Sequence, residues 1–307
     1  MKRFIIKSTL LFVLFIISII VFILIPLPHN TYDLAVIDKN ELLKKTMGQK
    51  LVRVGGSNLA FGIDSEKIQK ELNVPIINMG LQAGFGLGRI LDDISLYLNS
   101  GDIIVIIPEY SHFSTAWNGS NAAFNLIFDT GFITNRQYRL ILSNYYSFPK
   151  EFSSYLRNKF FSIISRIRKP APRIYTRDGF NIYGDYIKHL NMDPIAIVPT
   201  EQIIQIDKHY LNKFNSIIEY FSIRDITILL SYPSYEVESF DNSKNFIHTL
   251  DNIFLENEKI TVISKPENYR LPTNDFYDTP YHLNITGREI RTDRLITDLV
   301  TWRNTVK

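Results

Sequence analysis

The stretch KLVRVGGSN, residues 50–58, decides the fold. A short Val- and Leu-bearing run closes on Gly55, Gly56, Ser57 and Asn58. Apolar runs of this length, bounded by turn residues, suit strands buried on both faces of a parallel sheet. Four more runs share the form: VPIINMG (74–80), GDIIVIIPEY (101–110), RDITILLSYP (224–233) and KITVISKP (259–266). Helix-like patterns lie between them: SEKIQKEL (65–72), LGRILDDISLYLNSG (87–101, with Gly101 as C-cap), DKHYLNKFNSIIEYF (207–221) and SKNFIHTLDNIFLEN (243–257). A last helix is expected over about 285–303. Alternation of this kind predicts an α/β fold with a doubly wound, five-stranded parallel sheet.

Outward from that core, the N-terminus reads MKRFIIKSTLLFVLFIISIIVFILIPLP (1–28). Lys2, Arg3 and Lys7 precede an uncharged run from Ser8 to Pro28, long enough to cross a bilayer as a helix. No small-x-small cleavage site follows, so the run reads as an uncleaved single-pass transmembrane anchor. The positive flank stays in the cytoplasm. That sends the remainder to the periplasm or cell exterior, held to the cytoplasmic membrane by residues 8–28. Residues 29–48 read as a stem, and 49–307 as the α/β domain.

An insertion at about 111–200 separates the third and fourth strands. Within it, residues 145–177 carry eight Lys or Arg against one Glu. Helical spacing links Phe152, Tyr155, Phe160 and Ile163. This segment either meets anionic lipid headgroups or a lipid-linked phosphate, or packs on its own domain with a solvated basic face. The second, plainer reading is preferred, because any surface helix is amphipathic.

The 307 residues are 45% hydrophobic, with a net charge of +3 and no Cys. The charge argues against nucleic-acid binding. The missing Cys excludes disulfides and a thiol nucleophile. No spacing characteristic of a metal site is present, and no cofactor is expected.

Ligands of open parallel sheets bind beyond the carboxyl ends of the strands. Ser57 closes the first strand there, and the glycines beside it admit a substrate close to the backbone. NMGLQAGFGLG (78–88) is glycine-rich but lacks the dinucleotide-binding spacing. YDTPYHLNITG (277–287) places Asp278 and His282 before the last helix, which Asn284 or Thr286 can cap. Serine needs a base, and His is the usual one. His112 is the rival at this edge; His29, His189, His209 and His248 read as surface or packed residues.

Gly-Gly-Ser-Asn after the first strand, Asn-x-Gly after the second and an Asp/His pair before the final helix resemble the SGNH/GDSL hydrolase superfamily. The chain is most similar to its membrane-anchored bacterial envelope branch, the DltD and alginate-acetylation groups. The resemblance covers about residues 50–110 and 225–303. It implies a flavodoxin-like three-layer sandwich and acyl-ester chemistry on glycans or lipids. Carried over, Ser57 is the nucleophile, His282 the base and Asp278 its partner. The Ser57 N–H and a loop glycine, Gly80 or Gly84, donate to the oxyanion, with Asn58 beside them. The family's last block is Asp-x-x-His, whereas here three residues separate Asp278 from His282. The third strand ends in PEYSHF in place of the family's Gly-x-Asn-Asp, so one oxyanion donor is either missing, which implies a slow or inactive relative, or replaced by Tyr110 or an insertion side chain.

The resulting expectation is an O-acetyltransferase or esterase of the cell envelope. It would act on a surface polysaccharide or lipid-linked glycan, with a membrane-bound acyl-donor partner. A non-catalytic glycan-binding or assembly protein on the same fold is the alternative, and a lipid or thioester hydrolase is a third reading.

Overall fold

The computed structural model describes residues 1–130, 148–164, 174–203 and 205–306. Its strands are β1 Leu51–Gly55, β2 Ile76–Asn78, β3 Ile103–Ile107, β4 Thr227–Leu230, β5 Tyr235–Glu236, β6 Thr261–Val262 and β7 Arg270–Leu271. Each of the five expected runs contributes one strand to a parallel sheet of order β2-β1-β3-β4-β6. β5 and β7 form a separate parallel pair. At two residues each, they are too short to leave a periodic signal in the sequence.

Helices fill the connections. They are α1 Lys2–Leu24, α2 Ala35–Lys45, α3 Ser57–Gly62, α4 Ser65–Leu72, α5 Leu87–Ile94, α6 Asn121–Asp129 and α7 Phe148–Ile164. Then follow α8 Lys208–Ile223, α9 Val237–Asn242, α10 Lys244–Leu255 and α11 Ile285–Val306. Local chemistry starts several of them. Asp64 accepts from Lys67 N at the head of α4, Asp207 from His209 N at α8, and Asn284 from Gly287 N at α11. α5 ends at Ile94, earlier than expected. Gly101 is therefore not its C-cap, and takes a positive φ of 83° in the following turn instead.

Strand alternation divides the core in two. Val52, Val54, Ile104, Ile106, Ile228 and Leu230 join one apolar cluster with Leu91, Phe214 and Leu250. Leu51, Val105, Ile107 and Leu229 join another with Leu59, Leu295 and Leu299. β1, β3 and β4 thus bury both faces, the condition that makes their sequences continuous apolar runs. Arg53 is the exception in β1. It is fully buried and lies 3.7 Å from the Asp185 carboxylate, which also takes Ser65 N at 2.8 Å and Asn78 Nδ2 at 2.8 Å. Asp185 comes from the insertion, so this buried cluster fastens the returning insertion to the sheet.

α1 spans 23 residues, none buried, and is the one described helix long and apolar enough to cross a membrane. At 1.5 Å per residue it is about 34 Å long, sufficient for a hydrocarbon core of about 30 Å. The expected stem is not a free linker. α2 buries Ala35 and Leu43, and Lys39 donates to Asn78 O at 2.9 Å and to Gly184 O. Residues 145–147 and 165–173 of the basic stretch lie outside the described residues. Within α7, Tyr155 is buried but Phe160 is 51% exposed, so the two do not share one packed face as the spacing suggested.

Candidate functional site

At the end of β1 a backbone carbonyl fills the space beside Gly55, and the Glu109 carboxyl fills the space beside Gly56. A Cβ on Gly55 would fall 2.2 Å from Ile107 O, and one on Gly56 2.3 Å from Glu109 Oε1. Ser57 follows as the first residue of α3. Its hydroxyl donates to Glu109 Oε1 at 2.9 Å, and Asn58 N donates to the same oxygen at 3.1 Å. Glu109, just past the end of β3, is 4% exposed. Burial raises its pKa, against the lowering effects of the Asn58 N–H, nearby His282 and Ser57.

The four-residue spacing of Asp278 and His282 is absorbed by a closed loop. Tyr277 N donates to His282 O at 2.7 Å, and His282 N donates to Thr279 Oγ1 at 3.1 Å. Phe276 and Leu283 bridge across its base. The loop returns His282 Nδ1 to Asp278 Oδ1 at 2.8 Å. The other carboxylate oxygen, Oδ2, accepts the Tyr175 hydroxyl, which also lies 3.3 Å from His282 Nδ1. Burial raises the Asp278 carboxyl, but His282 and Tyr175 together hold it below the usual carboxylate range. With Nδ1–H committed to Asp278, the tautomer leaves Nε2 as the proton acceptor. No described protein group hydrogen-bonds to Nε2.

α3 brings the two halves together. Ser57 and Phe61 are one helical turn apart, so their side chains adjoin. The His282 ring stacks on Phe61, with centroids 4.0 Å apart and planes 11° apart. Ser57, Phe61, Glu109, Tyr175 and His282 all line one cavity of about 710 Å³, together with Asp33, Gln82, Gly84, Asn125 and Asn158. That size and mixed lining suit a small ligand. Burial, with Asp129 adding and Gln82 opposing, pushes Asp33 up to about 6.

The other expected site residues divide. Gly84 lines the cavity. Gly80 does not: its N–H donates to Asn78 Oδ1 at 2.9 Å, and a Cβ there would meet Leu59 Cβ at 2.4 Å. It is a packing glycine. The Asn58 carboxamide is spent on the turn, accepting Gly56 N at 3.0 Å and donating to Ile107 O at 3.2 Å. Tyr110 lies in the core, 1% exposed against Tyr235, and does not line the cavity as the expected donor would. The expected Ser57–His282 hydrogen bond is not made, because the hydroxyl donates to Glu109. His112 is fully buried. Its Nδ1 accepts Glu109 N at 3.0 Å, and burial lowers its pKa to about 4.

Sequence reasoning missed Glu109, Tyr175, Phe61, Asp33 and Gln82. Only Glu109 left a signal, as a carboxylate at the end of a parallel strand. Among the described residues no cluster of three or more His, Asp or Glu could hold a metal. Comparison with protein-family models, curated proteins and solved structures finds no match for this chain.

Proposed function

We propose that the chain is a membrane-anchored serine acyl-ester enzyme, an O-acetyltransferase or esterase acting on a glycan at the outer side of the cytoplasmic membrane. One observation carries the reading: His282, oriented by Asp278, shares a cavity with Ser57 at the carboxyl edge of a parallel sheet. The main sheet, counted along the chain by its own five strands, has the order 2-1-3-4-5. This is the flavodoxin-like order, and apolar clusters on both faces favour a three-layer sandwich. Lys2, Arg3 and Lys7 support the orientation. The glycan is an inference from family resemblance alone.

In this mechanism the Ser57 hydroxyl turns from Glu109 to His282 as substrate enters. His282 Nε2 takes the proton while Oγ bonds to the acyl carbonyl carbon, and the carbonyl electron pair moves to oxygen. Asp278 and Tyr175 hold the imidazolium. Collapse breaks the bond to the leaving alkoxide, which takes the proton from His282. An acceptor hydroxyl or water then gives its proton to His282 and attacks the acyl-serine; the bond to Ser57 Oγ breaks and Oγ takes that proton back from His282. Glu109 stands where the resemblance places an Asn. Burial raises its pKa, and in the protonated form its carboxyl would supply the O–H that the Asn amide would have supplied to the oxyanion.

The test is acetyl-ester turnover by full-length protein in detergent. Ser57→Ala and His282→Ala are each expected to abolish it. Full turnover in both variants rejects the catalytic reading. It would favour the glycan-binding alternative, to which the Ser57–Glu109 bond already lends support.

A further inference from the structure

The insertion holds a feature that the cavity chemistry does not use. Lys159 of α7 is 3% exposed, and its Nζ donates to Ile23 O at 2.6 Å, in the last turn of α1. The last carbonyls of a helix have no partner within it, and a cation there also suits the helix dipole. The same ammonium lies 3.2 Å from Asp129 Oδ1 and 2.9 Å from Tyr155 OH, and Tyr155 OH donates to Asp129 at 3.1 Å. Rings join α6 and α7 along their length: Phe124 with Phe148, and Phe128 with Phe152 and Tyr155. A buried ionic cluster therefore joins the α6–α7 pair to the end of the membrane helix.

The opposite side of α7 is unlike a soluble surface. Phe160 is 51% and Phe161 62% exposed, and Lys150, Ser153 and Arg157 are exposed with them. At 3.6 residues per turn these five share one half of the helix, away from Tyr155 and Lys159. Two large apolar rings among basic residues are the composition of a helix lying in a membrane interface. The rings are one and two residues from Lys159, within about 3 Å of it along the helix axis. They therefore belong to the same turn of α7 as the lysine that binds the end of the apolar span. Asn158, between Arg157 and Lys159, is part of the cavity wall.

We propose that α7 rests on the bilayer crossed by α1, with Phe160 and Phe161 inserted at the headgroup–acyl boundary. The occupant of this face is phospholipid, on the evidence of its continuity with α1. The cavity wall at Asn158 then lies beside the lipid surface, where a lipid-borne substrate can enter without leaving the membrane. The inference depends on α1 being in the bilayer and is independent of the acyl-transfer reading.

The test uses full-length protein in two nanodisc preparations, one with phospholipid brominated near the headgroup end of the acyl chain to report on 160 and 161, the other brominated near the chain's middle to report on 14. Phe160→Trp and Phe161→Trp report by the emission they add to that of Trp117 and Trp302. Leu14→Trp marks the span, and the exposed positions Ile223→Trp and Leu255→Trp mark surfaces outside it. Brominated lipid is expected to quench the added emission at 160 and 161 by about twofold or more, and to leave 223 and 255 unchanged. Quenching at 14 without quenching at 160 or 161 overturns the proposal and points to a protein partner or second copy on this face. Failure to quench at 14 overturns it as well, by removing α1 from the bilayer. No outcome depends on catalytic activity.

Discussion

Glu109 can be tested by a pair of substitutions that separate its charge from its shape. Its Oε1 accepts two donors, Ser57 Oγ at 2.9 Å and Asn58 N at 3.1 Å, in a setting where Glu109 is only 4% exposed. Glu109→Gln keeps the acceptor and puts an N–H where a protonated carboxyl would have its O–H. Glu109→Ala removes both and leaves the buried Asn58 N–H without its partner, at a cost of about 1–3 kcal/mol. If Glu109 is an oxyanion donor, Ala loses about 10²–10³ in kcat, whereas Gln stays within about tenfold of the parent. The pH dependence follows the same logic. The folded pKa is raised, so the stability from this group is present below the ordinary Glu value and lost as pH rises through the folded value. Gln has no such loss, and its Tm should equal or exceed the parent's at pH 7. The assay is acetyl-ester turnover with a thermal melt on the same detergent-solubilised samples. Were Gln as inactive as Ala while equally folded, Glu109 would be acting as a charge or base on Ser57 and the donor role would be wrong.

Other consequences follow from the same contacts. Asp278→Asn removes the acceptor that orients His282, and kcat should fall by about 10²–10⁴; an unchanged kcat would detach the pair from catalysis. Tyr175→Phe removes the hydroxyl on Asp278 and should cost about tenfold in kcat, with KM nearly constant as the discriminating readout. Asp185→Ala leaves Arg53 buried without its counter-charge and should destabilise the fold by about 3–5 kcal/mol in denaturant titration; a loss below 1 kcal/mol would deny the cluster its fastening role. His112 is buried neutral with its pKa lowered to about 4, so its contribution is full above about pH 6.5 and lost as pH falls toward 4. His112→Asn should reduce that acid loss by about 3 kcal/mol, and identical titration curves for variant and parent would refute the assignment.

The sheet was legible because burial on both faces removes polar alternation. β1 kept its signal despite Arg53, since Asp185 compensates that charge within the core. The stem misled because α2 is mixed polar and charged yet buries only three residues, Ala35, Lys39 and Leu43. One of these is a lysine satisfied by backbone carbonyls nearly 40 and 145 residues away in sequence. No local pattern records partners at that separation. Tyr175 was hidden for the same reason, 103 residues from Asp278.

The His–Asp pair was readable as residue types, but its geometry was not. Counting residues in a motif assumes a fixed loop path, whereas 277–282 closes through Thr279 and the Tyr277–His282 backbone bond. What sets the distance between Asp278 and His282 is that closure. Glu109 likewise takes its place from the path of the chain and not from its residue type. A search for an Asn at the end of β3 asks for a residue name, whereas the turn at Gly56 leaves space for a carboxyl 2.3 Å from where a Cβ would stand. The glycine and the glutamate are one feature. Gly56→Ala should therefore displace Glu109 and reproduce the kinetic loss of Glu109→Ala while the carboxyl is still present. A Gly56→Ala protein with parental kcat would show that the approach of Glu109 to Ser57 is incidental to the chemistry.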